Sequence, residues 1–152
     1  MFKFQGLPYR TNRGPEYTRY MQEPSIFTKI INGDIPSYKV YEDDKTLAFL
    51  DIYAVVPGHT LVVPKKQVEF VWDLEAEDYE ALFATVKKVA VRLRQALDVP
   101  YVGEKVIGTD VPHAHVHLIP FTDPAQMQRA NAENAEPDHQ ALAELAKRLF
   151  FV

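Results

Sequence analysis

Three of the chain's five histidines alternate with apolar residues in the segment "VPHAHVHLIP". They are His113, His115 and His117. In a β-strand, residues two apart point to the same face and lie about 7 Å apart at each step. The spacing therefore predicts a row of imidazoles on one face of a strand, with Ala114, Val116 and Leu118 pointing into the core from the other face.

Two kinds of chemistry fit such a row. A neutral imidazole can attack an electrophilic phosphorus while its neighbours bind phosphate oxygens. Alternatively, imidazoles on a strand can share a zinc ion. The outer two rings of a straight strand are roughly 13 to 14 Å apart, which favours a row lining a groove over three ligands on one metal. A third interpretation is that the histidines are solvent-facing or hydrogen-bonded residues of an edge strand.

The elements that must position these histidines are those of an α+β domain. Alternation predicts a hairpin in "YKVYEDDKTLAFLDI", a third strand in "GHTLVVP", and two further strands in "YVGEKVI" and "VPHAHVHLIP". Apolar residues at helical spacing predict a long amphipathic helix from Asp73 to Leu97. Together these segments predict a mostly antiparallel five-stranded sheet with one long and two shorter helices.

The two shorter helices lie at either end of that pattern. "PSIFTKIING" predicts a helix that Ser25 caps and Gly33 ends. A closing helix is expected from about Asp138 to Phe150, after the polar loop "DPAQMQRANAENAEPD". Residues 1–23 show no strand or helix period, so we expect an irregular N-terminal extension followed by one domain over residues 24–152.

Composition narrows the classes of protein to which the chain can belong. Apolar residues make up 47% of its 152 residues and charged ones 25%, the usual mix of a soluble globular domain. A net charge of -4 gives no basic field for nucleic acid. There is no cysteine, which suits the cytoplasm and excludes thiolate metal sites. No stretch approaches the ~20 apolar residues of a membrane span, and the first ten residues lack a signal-peptide core.

The run "HAHVHLIP" resembles the signature of the histidine triad family, His-x-His-x-His followed by apolar residues. "SIFTKIINGDIPSYKVYEDDKTLAFLDIYAVVPGHTLVVPKK" is similar to the N-terminal half of that family, including its Gly-Asp-Ile-Pro, Phe-Leu-Asp-Ile and Pro-Gly-His-Thr blocks. The resemblance extends from about Ser25 to Phe121 and is closest to the Hint-like nucleotide hydrolase and transferase branch.

The resemblance implies both a fold and an activity. Members of this family form two-fold dimers in which the sheets of both subunits join. They bind nucleotides and cleave or transfer nucleoside monophosphates from phosphoramidates, dinucleoside polyphosphates or related compounds. The resemblance thus implies a homodimer that acts on a purine nucleotide without a cofactor. The alternatives are a nucleotide-binding interaction module with little turnover and, less favoured, a histidine-ligated metalloenzyme.

The resemblance also implies a role for each histidine. His115 matches the nucleophile, which would attack the α-phosphorus and form a nucleotidyl-histidine that water resolves. His113 and His117 match the flanking residues that bind phosphate oxygens and orient the central ring. His59 matches a fourth histidine beside the triad. A nucleophilic ring must donate through its other nitrogen, and the backbone carbonyl of His113 is the acceptor that we expect for His115.

Four more residues are implied to contact the nucleotide. Asp51 matches the acid that accepts hydrogen bonds from the ribose hydroxyls, and Ile52 matches part of the base pocket. Thr109 and the backbone N–H groups up to Val111 are the expected phosphate donors. Asp110 departs from the family pattern, since a carboxylate that pointed inward would repel a phosphate.

A second departure concerns metal. Many bacterial relatives carry a zinc site built from Cys-x-x-Cys in the first helix, a histidine after Pro-Lys-Lys, and a histidine beside the triad. The corresponding positions here are Ser25, Thr28 and Gln67. Three ligands are replaced together, so we predict no metal site.

Overall fold

A computed structural model describes residues 14–129, 131 and 135–152. It contains a five-stranded antiparallel sheet in the order β1-β2-β3-β5-β4. The strands are β1 (Lys39–Glu42), β2 (Thr46–Leu50), β3 (Thr60–Pro64), β4 (Tyr101–Lys105) and β5 (Val116–Phe121). The helices are α1 (Pro15–Gln22), α2 (Ile26–Ile31), α3 (Ala76–Leu97) and α4 (His139–Leu149). The predicted α+β fold is confirmed.

The β1–β2 hairpin closes where the sequence predicts it. The carboxylate of Asp43 accepts the backbone N–H groups of Lys45 and Thr46, at 3.0 and 2.8 Å. This turn brings β2 back beside β1, and β3 then pairs with β2 over five residues. Asp51 therefore follows the end of β2 directly beside His59, and its N–H donates to the His59 carbonyl at 2.9 Å.

The two faces of the sheet carry different layers because neighbouring residues of a strand point to opposite sides. On one face α3 packs its buried stripe against β2, β3 and β5. The apolar residues of that stripe are Leu82, Val86, Val89 and Leu93. On the other face α2 contributes Phe27 and Ile30 to a smaller cluster with residues of β2 and β3. The histidines lie on this second face.

Gly58 marks the close approach of α3 to the start of β3. Its φ of +91° favours glycine, and an added Cβ would lie 2.6 Å from Leu97 Cδ1 and 3.0 Å from Pro120 Cγ. The C-terminal end of α3 thus rests on the residue before His59. The helix itself begins at Ala76 rather than Asp73, since residues 71–73 form a separate 3₁₀ turn.

The N-terminal segment differs from the expectation. Residues 15–22 form helix α1 rather than an irregular extension, with Pro15 in the first turn. The side-chain amide of Gln67 donates to the carbonyls of Met21 and Glu23, at 3.3 and 2.9 Å, and so fixes the end of this helix. Residues 1–13 lie outside the described residues. The domain boundary at residue 24 stays a prediction.

The polar loop after β5 also contains regular structure. Residues 124–128 form a 3₁₀ turn, which Asp123 and Gln126 close with a capping box. Residues 130 and 132–134 of the loop lie outside the described residues. Within residues 14–129, 131 and 135–152, no helix is long and apolar enough to cross a membrane.

The histidine segment is only partly a strand, and this corrects the prediction. β5 begins at Val116, so His113 and His115 precede it. The chain bends because the His113 N–H donates to the Val111 carbonyl at 2.8 Å and the Ala114 N–H donates to the Val68 carbonyl at 2.6 Å. These two bonds replace the ladder that a longer β5 would form with β4. Ala114, Val116 and Leu118 lie in the core as predicted.

Candidate active site

Four histidines form one buried group on the α2 face of the sheet. Their exposed fractions are 1% for His59, 0% for His113, 3% for His115 and 8% for His117. The ring centres of His115 and His117 are 5.1 Å apart, and those of His59 and His117 are 5.2 Å apart. The bend before β5 brings the first pair closer than the spacing of a straight strand would.

The ring of His115 has one nitrogen bound and one free. Nδ1 lies 2.7 Å from the carbonyl oxygen of His113, so Nδ1 carries the proton and donates it. Within the described part of the chain Nε2 makes no hydrogen bond, and no buried side-chain nitrogen or oxygen there lacks a partner. Nε2 is therefore open to solvent with its lone pair available. The acceptor is the carbonyl that the sequence analysis expects.

His117 has the opposite tautomer, which follows from a chain of hydrogen bonds. The backbone N–H of Val55 donates to Nδ1 of His59 at 3.1 Å, so the His59 proton is on Nε2. His59 Nε2 in turn lies 2.9 Å from His117 Nδ1 and donates to it. The proton of His117 is therefore on Nε2. His117 presents an N–H donor beside the free nitrogen of His115.

The ring of His113 is fully engaged within the protein. Nε2 donates to the Pro64 carbonyl oxygen at 2.7 Å, and Nδ1 accepts from the Ser25 hydroxyl at 2.8 Å. Neither nitrogen is available to a phosphate oxygen, contrary to one of the two roles implied for this residue. His113 instead orients His115 through its backbone carbonyl.

The three residues that replace the zinc ligands lie together around His113. Gln67 Oε1 accepts from the Thr28 hydroxyl at 2.5 Å and from the Ser25 backbone N–H at 2.8 Å. The Ser25 and Thr28 hydroxyls are 3.2 Å apart. We call Ser25, Thr28, Gln67 and His113 the polar cluster. The sequence identifies the first three only as replaced ligands, whereas the structure joins them by neutral hydrogen bonds that support His113.

Burial keeps His59, His113 and His117 neutral. Removal from water lowers the pKa of both His59 and His117 to about 4. The pKa of His113 is lowered as well, mainly by burial. At neutral pH these three rings therefore contribute hydrogen bonds rather than positive charge.

Asp51 lies beside this histidine group at the end of β2. Its Oδ1 accepts the Tyr53 N–H at 2.9 Å, and its Oδ2 lies 3.6 Å from His59 Nε2. Burial raises the pKa of this carboxyl, and the charge of Asp110 raises it further. The carboxylate keeps lone pairs that can accept hydroxyl groups. Ile52, the expected base-pocket residue, is next to it and 41% exposed.

An aromatic side chain from α2 closes the apolar side of the site. The Phe27 ring centre is 5.2 Å from that of His115 and 5.6 Å from that of Phe49, both edge to face. The sequence places Phe27 on the apolar side of its helix, but not against His115. Only the packing of α2 on β2 brings the two together.

The segment before the histidines is acidic as well as polar. Thr109 is exposed, and its hydroxyl donates to Asp110 at 3.1 Å. Val111 packs against the smaller apolar cluster that contains Phe27 and Ile30. Within the described residues no hydrogen bond joins the Thr109 side chain to the histidines. Burial lowers the pKa of His117, and the charge of Asp110 partly opposes that shift. Asp110 therefore acts on the site, as its departure from the family pattern suggests.

One group of potential metal ligands occurs in this region. Asp51, His59 and His117 offer ligand atoms within 4.8 Å of one another. The two imidazole nitrogens are 2.9 Å apart and share a proton, whereas ligands of a tetrahedral zinc are about 3.3 Å apart and unprotonated. A metal would have to break this hydrogen bond. The hydrogen bonds from the Val55 N–H through His59 to His117 form a relay, with Asp51 beside it at 3.6 Å, and this arrangement fits the three residues better than a metal site does.

Comparisons with known proteins agree on one family. A model described as "HIT domain" matches residues 32–123. "Protein hit" of Bacillus subtilis is 46% identical over 104 residues, covering 64% of this chain and 71% of that protein. "Adenosine 5'-monophosphoramidase HNT1" of Saccharomyces cerevisiae is 30% identical over 143 residues, covering 93% of this chain and 90% of that protein. The crystal structure of a Hit-like protein from Bartonella henselae has a TM-score of 0.73 and 32% identity, covering 82% of this chain and 93% of that one.

Proposed function

Because the chain belongs to the histidine triad family of HIT-domain proteins, we propose that it hydrolyses or transfers nucleotides at the α-phosphate. The substrates are purine nucleoside phosphoramidates or dinucleoside polyphosphates, and the reaction runs through a nucleotidyl-His115 intermediate. One observation carries the proposal. Nδ1 of His115 donates to the His113 carbonyl, which leaves Nε2 unprotonated and open. The yeast relative's name supports a phosphoramidate substrate.

The proposed reaction has two steps. Nε2 of His115 attacks the α-phosphorus, an N–P bond forms, and the bond from phosphorus to the leaving group breaks. The leaving group keeps the electron pair of that bond, and an amine takes up a proton from the solvent as it departs. Water then attacks the same phosphorus, which releases the nucleoside monophosphate and restores the lone pair on Nε2.

The other residues of the site hold the substrate. The Nε2–H of His117 donates to a phosphate oxygen beside the nucleophile, and His59 fixes the tautomer that makes this possible. The carboxylate of Asp51 accepts the ribose hydroxyls. Ile52, which follows Asp51 and is 41% exposed, offers apolar surface to the base. Donors on residues 108–111 complete the phosphate contacts in this proposal.

The test is a panel of nucleotide substrates against wild type and His115→Asn. We expect wild type to release nucleoside monophosphate, and the variant to lose at least about a thousandfold in kcat/KM. Intact-protein mass spectrometry during turnover should show one nucleotidyl group on wild type and none on the variant. His139→Asn is the matched control, because His139 lies at the start of α4 and contacts Tyr38. Unchanged turnover in His115→Asn would overturn the assignment.

The binding-module alternative also has an observation in its favour. The Asp110 carboxylate acts on both Asp51 and His117, where a phosphate would lie. A site of this charge can hold a nucleotide and turn it over slowly. Nucleotide binding with no release of monophosphate by wild type would favour this alternative.

We also propose that the chain is a homodimer in the cytoplasm. β4 is at one end of the sheet, and the side chains near it include Tyr101 and Ile107, exposed by 53% and 57%. An edge strand with apolar neighbours can pair with a second copy of itself. Sedimentation at micromolar concentration should give the mass of two chains. A single-chain mass that persists at higher concentration would exclude the dimer.

A further inference from the structure

A row of side chains crosses the α2 face of the sheet and ends at a lysine. Strand register places Phe49 opposite Leu61, Leu61 opposite His117, and His117 opposite Lys105. Directly opposed residues of antiparallel strands share a face. Lys105 is therefore the neighbour of His117 on β4, on the same face as the histidines.

This row has a direction that matches an extended nucleotide. In the proposed function the ribose binds at Asp51, after the end of β2, and the α-phosphate binds at His115 and His117. Neighbouring strands are about 4.8 Å apart. A group attached beyond the α-phosphate and pointing away from β2 therefore passes over β4. The side chain next to His117 in that direction is Lys105.

A polyphosphate bound at the histidine site would need a cation beside His117 to balance its negative charge. Burial holds His59 and His117 neutral at pH 7, so these rings add no positive charge beside the carboxyl groups of Asp51 and Asp110. A polyphosphate adds more negative charge to the same space. Lys105 already acts on this group, because its charge, after burial, helps to lower the pKa of His59.

The 3₁₀ turn over residues 124–128 holds Lys105 against the sheet. The Lys105 ammonium donates to the carbonyl oxygen of Met127, and the lysine is half-buried. The side chain of Met127 lies directly over Gly103, where an added Cβ would come within 2.3 Å of Met127 Cε. Because Gly103 has no side chain, the 3₁₀ turn can pack closely against β4 at this position. This packing keeps the ammonium on the histidine face of the sheet. An ammonium has three N–H donors, so those not bound to Met127 can donate to a ligand.

We propose that Lys105 binds the phosphate that follows the α-phosphate and so selects nucleotides whose leaving group is an anionic phosphate over those with a neutral amine. The inference rests on the proposed function and names its preferred substrate class. When His115 attacks, the α–β phosphoanhydride bond breaks and its electron pair stays on the departing phosphate oxygen. The ammonium of Lys105 stabilises the charge on that leaving group.

The test compares two substrates that share the nucleoside and the α-phosphorus. One is diadenosine tetraphosphate, whose leaving group is a phosphate anion, and the other is adenosine 5'-phosphoramidate, whose leaving group is ammonia. Lys105→Met should lower kcat/KM for the first by about 10- to 100-fold and for the second by no more than about threefold. Lys105→Arg should restore most of the preference. Lys87→Met, on an exposed face of α3, is the matched control and should change neither rate.

A binding measurement keeps the inference testable if turnover is absent. Calorimetry with ADP and AMP should show that Lys105→Met reduces the preference for ADP over AMP by about tenfold. Equal losses on both substrates, or an unchanged ADP preference, would overturn the role of Lys105 and leave the proposed function standing. If wild type cleaves neither substrate, the proposed function fails, and the ADP-to-AMP ratio alone decides the role of Lys105.

Discussion

The Nε2 atom of His59 lies 2.9 Å from Nδ1 of His117, and this contact sets which nitrogen of His117 carries a proton. The direction of the bond follows from the Val55 N–H, which occupies the other nitrogen of His59. The carbonyl of His113 fixes the opposite tautomer of His115, with the proton on Nδ1. Two imidazoles whose ring centres are 5.1 Å apart thus differ in their Nε2 atoms, one with a lone pair and the other with an N–H.

Removing the His59 donor should release the tautomer of His117. In His59→Leu we expect His117 to populate both neutral forms, and kcat/KM to fall by roughly tenfold as the phosphate loses a fixed donor. Nitrogen-15 NMR of the histidine side chains reports the tautomers directly. In wild type it should show His115 protonated on Nδ1 and His117 on Nε2. Finding the same tautomer on both rings of wild type would contradict the relay.

The polar cluster should contribute to stability through Gln67. Gln67→Leu removes the acceptor of two donors, the Ser25 N–H and the Thr28 hydroxyl. Leaving buried donors unpaired costs about 1–3 kcal/mol, and urea unfolding should show a loss of that size. Gln140→Leu is the control, since Gln140 is exposed on α4 and should change stability by less than about 0.5 kcal/mol. Equal effects of both substitutions would mean that the cluster adds nothing.

Stability should fall as the pH drops from about 6.5 to about 4. Above this window His59 and His117 are neutral in both the folded and the unfolded chain. Within it the unfolded histidines bind protons near their ordinary pKa of 6.5, whereas the folded ones do not until about 4. Each ring therefore costs roughly 1.4 kcal/mol of stability per pH unit across the window. The raised pKa of Asp51 opposes this trend, because the folded carboxyl takes up its proton first as the pH falls.

Urea unfolding at several pH values measures that slope. The double variant His59→Leu/His117→Leu should show a shallower slope than wild type, while His139→Asn should keep the full slope. A wild-type stability that is flat between pH 6.5 and 4.5 would show that these rings titrate normally in the folded chain.

Turnover should not depend on a bound metal ion. The proposed nucleophile is a ring nitrogen, and His59 and His117 of the Asp51–His59–His117 group are already joined by a hydrogen bond. The protein is treated with a chelator for a prolonged time, and metal analysis confirms that no metal is left. Because no metal ligand is lost, kcat/KM should stay within about twofold of its untreated value, which is the scatter of the assay. Activity lost to the chelator and regained with zinc would favour the metalloenzyme alternative instead.

Gly58→Ala should be more destabilising than Gly33→Ala. Both glycines have a positive φ, +91° and +83°, so both substitutions carry the backbone cost of about 1 kcal/mol. At Gly58 the new Cβ also meets Leu97 Cδ1 at 2.6 Å, whereas nothing lies within 4 Å of it at Gly33. Thermal unfolding of the two variants isolates the contact, and Gly58→Ala should also lower activity by displacing His59.

Periodicity predicted most of the sheet and the long helix correctly, because those elements bury apolar residues at regular spacing. It missed α1, since the bonds that fix the end of that helix come from Gln67, distant in sequence. It placed the start of β5 too early, because hydrogen bonds to Val111 and Val68 bend the chain there. The polar cluster and Lys105 depend on tertiary packing and strand register, which a sequence without known pairing does not reveal.

The His113 carbonyl, which accepts the Nδ1–H hydrogen bond of His115, also affects the second step of the proposed reaction. A backbone carbonyl oxygen accepts a hydrogen bond but is far too weak a base to take the proton. Once phosphorus is attached to Nε2, the ring therefore keeps its Nδ1 proton and carries a positive charge. With that proton in place the ring departs from phosphorus as neutral imidazole and takes the electron pair of the N–P bond. Without it the ring would have to depart as an imidazolide anion, a much poorer leaving group. The bond that prepares His115 for attack thus also makes it a good leaving group for water.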